Sequence, residues 1–392
     1  MLMNIGIFTN NYLPIPYGVT GSVESFRMAL EQGGHSIYIF APRWPGYQDA
    51  NPNVFRYPSL DISVKSRFPL AIPFSRSASR RLVELPLDII HSQHPNLLGS
   101  AARKWAQKKN IPLVFTWHTL YDRYTHFVSF VPPTLAAAWM IRGAVRYAGQ
   151  SDAVIIPTES ARRIISAWGL AHNHISIILT GVDENMFQQP DPARVRRHLG
   201  IPDGASLLFS VSRLTEEKNV ELLLKAVQTV LKENPQAWYL HVGEGYLRQK
   251  LEKQARLAGL ERRILYVGEI PRKEMRHYYA AATIFVYAST SETQGTIFSE
   301  AMYSGLPIVA VRAAGAIDLV RDGATGLLVP EDPAALARGM MALLNNDQRR
   351  ESMKKTTRQT AVQNYTASAC AAKLIQVYAD AIARKKTDAK IF

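Results

Sequence analysis

The chain has 392 residues, of which 47% are hydrophobic and 20% are charged. That length exceeds one ordinary core and that composition argues against a disordered chain, so we expect two globular domains. The sequence contains no run of about 18 uncharged apolar residues, which argues against a transmembrane helix. The net charge of +14 favours phosphate-bearing or anionic lipid partners.

In the first half of the chain, short apolar runs alternate with amphipathic helical patterns. The run 4–9 predicts a first strand, and the helix after it carries Val23 and Leu30 on one face and ends at Gly33. Such alternation is typical of parallel sheets covered by helices. Further strands are predicted at 36–41, 88–91, 113–116, 153–157 and 175–179.

The polar segment 188–192 contains two prolines and predicts a connector, after which the pattern restarts. Strands are predicted at 207–212, 238–242, 264–267, 284–287 and 307–311. We therefore predict an α/β protein with two Rossmann-like, doubly wound domains facing a cleft, residues 1–182 and residues 183–366, with a last helical segment, 367–392, returning to the first domain. Ligands of such sheets bind beyond the carboxyl ends of the strands.

The densest group of functional residue types lies in the run 291–302, directly after a predicted strand. Glu292 and Glu300 place one carboxylate in a loop and one inside the helix that follows. Gly295 permits close approach of a ligand, and the amides after it would meet a phosphate at the positive end of the helix. Ionised carboxylates accept hydrogen bonds from sugar or ribose hydroxyls. By spacing alone, a capped helix with two solvated glutamates explains the pattern equally well.

This run, continued by 304–310 and 322–329, resembles the signature region of glycosyltransferase family 4, whose members are retaining enzymes of the GT-B architecture. The resemblance implies that Glu300 binds the ribose hydroxyls of a nucleotide-sugar donor and that Glu292 contacts the sugar and is catalytic. It assigns the sugar and phosphate contacts to Gln294, Gly295, Thr296 and Ile297. The family usually has Phe-Gly in place of Gln294-Gly295, so the resemblance leaves the sugar preference open.

Two cations, Arg213 and Lys218, follow the first predicted strand of the second domain. By themselves they fit solvated surface charges beside two glutamates. The resemblance implies that both are catalytic: they bind the donor diphosphate without a metal and stabilise the departing nucleotide. It also places Gly268, in a glycine turn beyond a predicted strand, against the nucleobase.

In the first domain, His118 stands at the carboxyl end of a predicted strand, although a lone histidine is more often structural than catalytic. The resemblance places it beside the reacting sugar and assigns it a catalytic role. It also places Gly18, in the N-terminal glycine loop, near the donor phosphate.

The run 121–126 resembles the branch of the family that glucosylates diacylglycerol at membranes, which implies an acceptor-side role for Tyr121, Asp122 and Tyr124. Asp122 is a candidate acceptor-side base, and a solvated carboxylate explains it equally well. In the earlier segment 65–82, cations interleave with apolar residues, a mixture suited to an anionic membrane surface, although a loop followed by an ordinary surface helix also fits. These cations are Lys65, Arg67, Arg76, Arg80 and Arg81.

The leading prediction is a retaining transfer of glucose from UDP-glucose to a lipid such as 1,2-diacylglycerol, without a metal or another cofactor. The only cysteine, Cys370, rules out an internal disulfide and fits a cytoplasmic protein, here expected to be peripheral on the inner face of the cell membrane. No nucleic-acid-binding signature is present, so nucleic acid is not an expected partner. A soluble sugar, sugar-phosphate or inositol-phosphate acceptor stays open. So do a catalytically silent GT-B binding protein and a sugar-nucleotide epimerase.

Overall fold

The computed structural model describes residues 2–15, 18–60, 69–119, 133–292 and 294–391. The chain divides into two compact units. The N-terminal unit comprises Met1–Gly181 with Ala367–Phe392, and the C-terminal unit comprises Val182–Thr366.

The N-terminal unit is built on a parallel sheet with helices between its strands. Its strands are β1 (Asn4–Phe8), β2 (Ser36–Pro42), β3 (Val54–Tyr57), β4 (Ser59–Leu60), β5 (Leu70–Ala71), β6 (Ile89–Ser92), β7 (Leu113–Thr116), β8 (Ala153–Ile156) and β9 (Ile175–Ile177). Its first helices are α1 (Val19–Gln32), α2 (Arg76–Glu84), α3 (Leu98–Lys109), α4 (Pro133–Gly149) and α5 (Glu159–Ala167). Within the described residues, seven strands pair in the order β3-β2-β1-β6-β7-β8-β9, and β4 pairs with β5 in a separate antiparallel ribbon.

The C-terminal unit repeats this plan. Its strands are β10 (Ser206–Val211), β11 (Ala237–Val242), β12 (Ile264–Tyr266), β13 (Ile284–Tyr287), β14 (Ile308–Val311) and β15 (Gly326–Val329). Its helices are α6 (Pro192–Leu199), α7 (Val220–Glu233), α8 (Arg248–Leu257), α9 (Met275–Ala281), α10 (Thr296–Tyr303), α11 (Ala316–Leu319), α12 (Pro333–Leu344) and α13 (Asp347–Asn364). In the described part of this unit, six parallel strands pair in the order β12-β11-β10-β13-β14-β15.

The last helix, α14 (Ala367–Ile391), packs against α1 and belongs to the core of the N-terminal unit. Leu374 and Tyr378 are buried there, and the Tyr378 hydroxyl lies 2.7 Å from Nδ1 of His91 on β6. In the residues that the structure describes, no helix combines the length and apolar character needed to cross a membrane.

The observed sheets confirm the predicted fold class of two doubly wound α/β units. The predicted strands 113–116 and 284–287 agree with β7 and β13 at both ends. The predicted strand 175–179 starts with β9, but β9 ends two residues earlier than predicted. The sequence did not predict β3 or β15, which both lie at sheet edges. β15 alternates between buried and half-buried residues, and β3 is mostly half-buried. Such strands lack the continuous apolar run that marks a fully buried strand.

Candidate active site

The strand order of the C-terminal sheet reverses between β10 and β13, and ligands of open α/β sheets bind beyond the carboxyl ends of the strands at such a point. Arg213 and Lys218 follow β10, and Glu292 follows β13. The hydroxyl of Ser291 donates a hydrogen bond of 3.0 Å to the carbonyl of Glu217, which ties the two loops together. Residues 74 positions apart in sequence therefore form one site.

The centre of this site is an ion pair between Lys218 and Glu292. The Lys218 Nζ lies 2.5 Å from Oε1 of Glu292, and each side chain is only 15% exposed. The hydroxyl of Tyr287, the last residue of β13, donates to the same oxygen at 2.6 Å. Burial, and then the charge of Glu292, raises the pKa of Tyr287 well above its ordinary value, so this phenol remains a donor.

Arg213 has a different environment. Its guanidinium is 69% exposed and pairs with the carboxylate of Glu217 at 2.9 Å. An exposed ion pair of this kind contributes little to stability. Arg213 is therefore free to exchange Glu217 for an anionic ligand at low energetic cost.

The N-terminus of α10 adjoins Glu292 and is open to a ligand. Gly295 occupies the N-cap position in the left-handed region (φ 63°) and has no side chain that could cap the helix. The first amides, those of Thr296 and Ile297, precede the first hydrogen bond of the helix and point out of its positive end. Thr296 is exposed and Gln294 is half-buried in the preceding turn. This geometry suits an anionic group.

Glu300 lies further along α10 and is 9% exposed. Its Oε2 accepts a 2.9 Å hydrogen bond from the hydroxyl of Tyr279, and its Oε1 accepts one of 3.3 Å from Arg272. Burial, followed by the charge of Glu300, raises the pKa of Tyr279. Glu300 and Glu292 thus share one arrangement, in which a buried tyrosine and a cation hold each carboxylate.

The glycine turns of the neighbouring loops have a packing function. A Cβ atom on Gly243 would lie 1.9 Å from the carbonyl oxygen of Ser212, so the loop after β11 can approach the loop after β10 only with glycine there. The amide of Gly243 donates to the carbonyl of Gly268 at 2.8 Å, and a Cβ atom on Gly268 would meet Oε1 of Glu244 at 2.8 Å. Gly268 therefore lies in the same group of loops as Arg213.

In the N-terminal unit the strand order reverses between β1 and β6, and polar residues again gather there. The amide of Asn10, after β1, donates to Nδ1 of His94, after β6, at 3.1 Å. Nε2 of His118, after β7, lies 2.7 Å from Oε1 of Gln93. His118 thus lies where the sequence placed it, at a strand end, but its polar neighbours Asn10, Gln93 and His94 were not predicted.

The protonation state of His118 follows from this contact. With Oε1 of Gln93 as the acceptor, Nε2 carries the proton and Nδ1 is the unprotonated ring nitrogen. Burial lowers the pKa of His118 to about 4 and that of His91 and His94 to about 3. All three imidazoles are therefore neutral at pH 7.

Gly18 is the N-cap residue of α1 and has φ 58° and ψ −123°, a conformation that side chains disfavour. Apart from its chain neighbours, no atom of the described residues lies within 4 Å of the position of a Cβ atom, so the backbone conformation is what favours glycine. As the N-cap residue, Gly18 has no side chain that could cap α1. The acceptor-side candidates Tyr121, Asp122 and Tyr124 and the cations Lys65 and Arg67 lie outside the described residues.

The other cations of the predicted membrane surface, Arg76, Arg80 and Arg81, lie within the described residues. Arg76 and Arg80 line a cavity of about 510 Å³ between α2 and α3. Arg76 and Arg80 contribute its charge together with Lys104 and Lys108, which the sequence reasoning missed. Its apolar lining includes Phe74, Val83 and Trp105, and the side chain of Phe74 is 66% exposed. Arg81 instead forms an exposed ion pair with Glu84 at 3.3 Å.

Two Rossmann-like units, the second with cations, a half-buried glutamate and a buried glutamate near its switch point, fit the GT-B architecture, which the structural neighbours share. Residues 16–185 match the family described as Glycosyltransferase Family 4, and residues 192–360 match Glycosyl transferases group 1. The chain therefore belongs to glycosyltransferase family 4 and is a nucleotide-sugar-dependent glycosyltransferase.

Two named relatives and one solved structure show this similarity over most of the chain. The alpha-monoglucosyldiacylglycerol synthase of Streptococcus pneumoniae is 31% identical over 79% of this chain and 71% of its own length. The enzyme of the same name from Acholeplasma laidlawii is 30% identical over 83% and 84%. The crystal structure of Anabaena Alr3699/HepE with UDP and glucose has a TM-score of 0.74 at 19% identity, covering 96% of this chain and all (100%) of that chain.

Proposed function

We propose that this enzyme transfers glucose from UDP-glucose to 1,2-diacylglycerol at an anionic membrane surface, with retention of the anomeric configuration. The donor half of the proposal rests on the contact of Lys218 with Glu292 beside the open N-terminus of α10. The acceptor half is supported by the names of the two relatives with about 30% identity, both monoglucosyldiacylglycerol synthases.

In the proposed donor complex, the diphosphate replaces carboxylates as the partner of both cations. Lys218 would leave Oε1 of Glu292 and Arg213 would leave Glu217, and each would bind phosphate oxygens. The carboxylate of Glu292, still held by Tyr287, is then available to the hydroxyls of the sugar. The two cations and the helix N-terminus stabilise the charge that develops on UDP as the glycosidic bond breaks.

The buried carboxylate of Glu300 recognises the ribose in this proposal. Its two oxygens can accept hydrogen bonds from a vicinal diol, while Tyr279 and Arg272 hold its plane. Gly268, in the adjoining group of loops, offers backbone to the uracil because it has no side chain.

Neutral His118 fits a positioning role toward the sugar and not that of a proton donor at neutral pH. Its Nε2–H group is engaged by Gln93, whereas Nδ1 can accept a hydrogen bond from a hydroxyl of the donor sugar. In the proposed complex, Gly18 and the open N-terminus of α1 would lie near the donor phosphate.

The cavity between α2 and α3 supports the membrane part of the proposal. Four cations surround apolar side chains that are partly exposed to water, a combination that suits anionic headgroups and the interface beneath them. Leu60 on β4 and Leu70 on β5 pair with each other and are 53% and 41% exposed, which extends the apolar surface of this unit. The proposed location is therefore peripheral, on the inner face of the cell membrane.

The test is nucleotide release from UDP-, GDP- and ADP-sugars, measured with and without diacylglycerol in phosphatidylglycerol vesicles. The expected result is release from UDP-glucose that requires diacylglycerol and persists in EDTA, with a product that has the anomeric configuration of the donor. Vesicles of phosphatidylcholine with the same diacylglycerol content are the control for surface charge.

Three outcomes would contradict parts of the proposal. Release that occurs only with a soluble sugar, sugar phosphate or inositol phosphate would exclude the lipid acceptor. If EDTA abolishes nucleotide release, the reaction requires a metal ion. Conversion of the donor to another nucleotide sugar without any acceptor would indicate an epimerase.

A further inference from the structure

The C-terminal unit contains a second basic cavity that is separate from the donor loops. It has a volume of about 530 Å³ and lies where the end of α10, α9 and α13 meet. Helix α10 starts at the carboxyl ends of the strands and ends before β14 begins, so Tyr303 and Gly305 lie toward the amino ends. The hydroxyl of Thr357 on α13 donates to the carbonyl of Thr325, just before β15, which places α13 at the same edge. No lining residue of this cavity belongs to the loops after β10 or β13.

The charge of this cavity is strongly unbalanced. Four cations line it and one carboxylate, that of Glu351, opposes them. Glu351 pairs with one of the four at 3.8 Å, and both of these side chains are more than half exposed. The four cations are Arg276, Lys354, Lys355 and Arg358. Like charges on the walls of one cavity repel one another unless an anion joins them.

Arg276 has a hydrogen-bond donor without a partner. Its Nε atom is buried from water, yet it forms no hydrogen bond with the described residues. A buried N–H group without a partner costs about 1–3 kcal/mol, which is why most such groups in folded proteins are paired. Arg276 lines the cavity, and its Nε–H group would gain a partner only if the side chain turned toward an acceptor there.

Arg358 is held in place by the protein. Its guanidinium stacks on the ring of Tyr303, 3.7 Å from the centroid, and also donates to the carbonyl of Tyr303. Gly305 has φ 77°, a backbone conformation that favours glycine, and it lies in contact range of Lys354 on α13. The cations therefore face a cavity whose walls are already in place.

We propose that this cavity is a binding site for a phosphate group that is not part of the nucleotide-sugar donor. A phosphate dianion only accepts hydrogen bonds, and it would pair with the guanidinium of Arg276 and with the charges of α13 that line the same cavity. Such a group is carried either by a soluble phosphate monoester or by the headgroup of an anionic phospholipid. The site is independent of the proposed sugar transfer, because its residues are not those assigned to the donor.

The test is titration of the full chain with inorganic phosphate, followed by phosphorus NMR or calorimetry, in the presence of saturating UDP. UDP occupies the donor site and removes its contribution to phosphate binding. Each of the substitutions Arg276→Gln and Lys355→Gln is expected to raise the Kd about tenfold, the effect of about 1.4 kcal/mol. Lys355 is exposed, so its substitution tests the site even if Arg276→Gln impairs folding. The matched control is Arg256→Gln, an exposed cation on α8 outside the cavity, which is expected to leave the Kd unchanged.

A second arm identifies the source of the phosphate group. The ligand is a soluble phosphate monoester if glycerol 3-phosphate displaces inorganic phosphate and phosphatidic acid vesicles retain wild type and Lys355→Gln equally. Greater retention of wild type than of Lys355→Gln on those vesicles, but not on phosphatidylcholine vesicles, identifies a lipid headgroup. Phosphate binding that saturating UDP abolishes, or that Arg276→Gln and Lys355→Gln leave at the wild-type Kd, would overturn the proposal.

Discussion

Replacement of Lys218 by glutamine tests the proposed chemistry most directly. The ammonium group lies 2.5 Å from the carboxylate of Glu292 in a setting where both side chains are 15% exposed. Glutamine keeps most of the side-chain length and can still donate to Glu292, but it removes the charge that we assign to the donor diphosphate. The substitution therefore separates the role of the charge from the role of packing.

The magnitude follows from the position of Lys218. A preorganised donor aimed at charge that develops in the transition state contributes about 3–4 kcal/mol, so its loss lowers kcat by about 10²–10³. Part of the interaction with phosphate is already present in the bound donor, so the KM for the donor is expected to rise as well, but by a smaller factor. Arg213, which is 69% exposed, is expected to contribute less because water screens its charge.

The assay is UDP release at saturating UDP-glucose with diacylglycerol vesicles, together with the free energy of unfolding of each variant. Lys225→Gln on α7, an exposed residue, is the matched control and is expected to keep the wild-type kcat. Tyr287 still donates to Glu292 in the Lys218→Gln variant, so the fold is expected to persist. A folded Lys218→Gln enzyme with a kcat within threefold of wild type would refute the assignment of Lys218 to the leaving diphosphate.

Four further predictions follow from the described contacts. Glu300→Gln removes a charge-assisted hydrogen bond to ribose, worth about 1.5–3 kcal/mol, and is expected to raise the KM for UDP-glucose at least tenfold; an unchanged KM would exclude ribose binding there. Gln93→Glu places a carboxylate beside Nε2 of His118 and raises its pKa from about 4, so the acidic limb of the kcat/KM profile should move toward neutral pH. Arg80→Gln is expected to weaken binding to phosphatidylglycerol vesicles about fivefold, since one basic residue near such a surface contributes about 1 kcal/mol, while activity on detergent-dispersed diacylglycerol stays the same. The pKa of His91 is about 3 in the folded protein against 6.5 in an unfolded chain. Its contribution to stability is therefore complete above pH 6.5 and is lost as the pH falls toward 3, which urea unfolding at pH 7 and pH 5 would detect as a lower free energy of unfolding at pH 5.

The sequence predicted the approximate boundaries of most strands, and with them the loops that carry the candidate residues. Arg213, Lys218 and Glu292 were each assigned to a strand end, and the doubly wound pattern implied that strand ends share an edge. Their meeting at one point depends on the order of the strands, because β10 and β13 are neighbours although two strands separate them in sequence. The sequence did not predict that order, since local periodicity contains no information on it; the structure supplies it.

The residues that hold the candidate groups could not be predicted in this way. Tyr279 and Tyr287 appear in the sequence as ordinary apolar positions of a helix and a strand, and only the packing shows that their hydroxyls reach Glu300 and Glu292. Gln93 follows a strand by one residue, and its contact with His118 depends on the pairing of β6 with β7. Polar side chains directly after two adjacent strands would have been the available signal.

The same arrangement of both glutamates has a chemical consequence. A tyrosine whose pKa is raised by burial remains neutral, so it orients a carboxylate without cancelling its charge. In the proposed donor complex Lys218 leaves Glu292 for the diphosphate, whereas Tyr279 and Arg272 stay with Glu300. Tyr287 therefore keeps the carboxylate of Glu292 in position when the diphosphate takes its cation.

The described cations also account for the unusual charge of the chain in a more specific way than the composition allowed. The net charge of +14 is compatible with a membrane surface alone. Arg76 and Arg80 line an apolar cavity of the N-terminal unit, as a membrane surface would require, but Arg276 and Arg358 line a cavity of the C-terminal unit whose walls include a buried, unpartnered donor. Part of the positive charge is therefore concentrated in two separate cavities, in addition to the two cations that we assign to the donor.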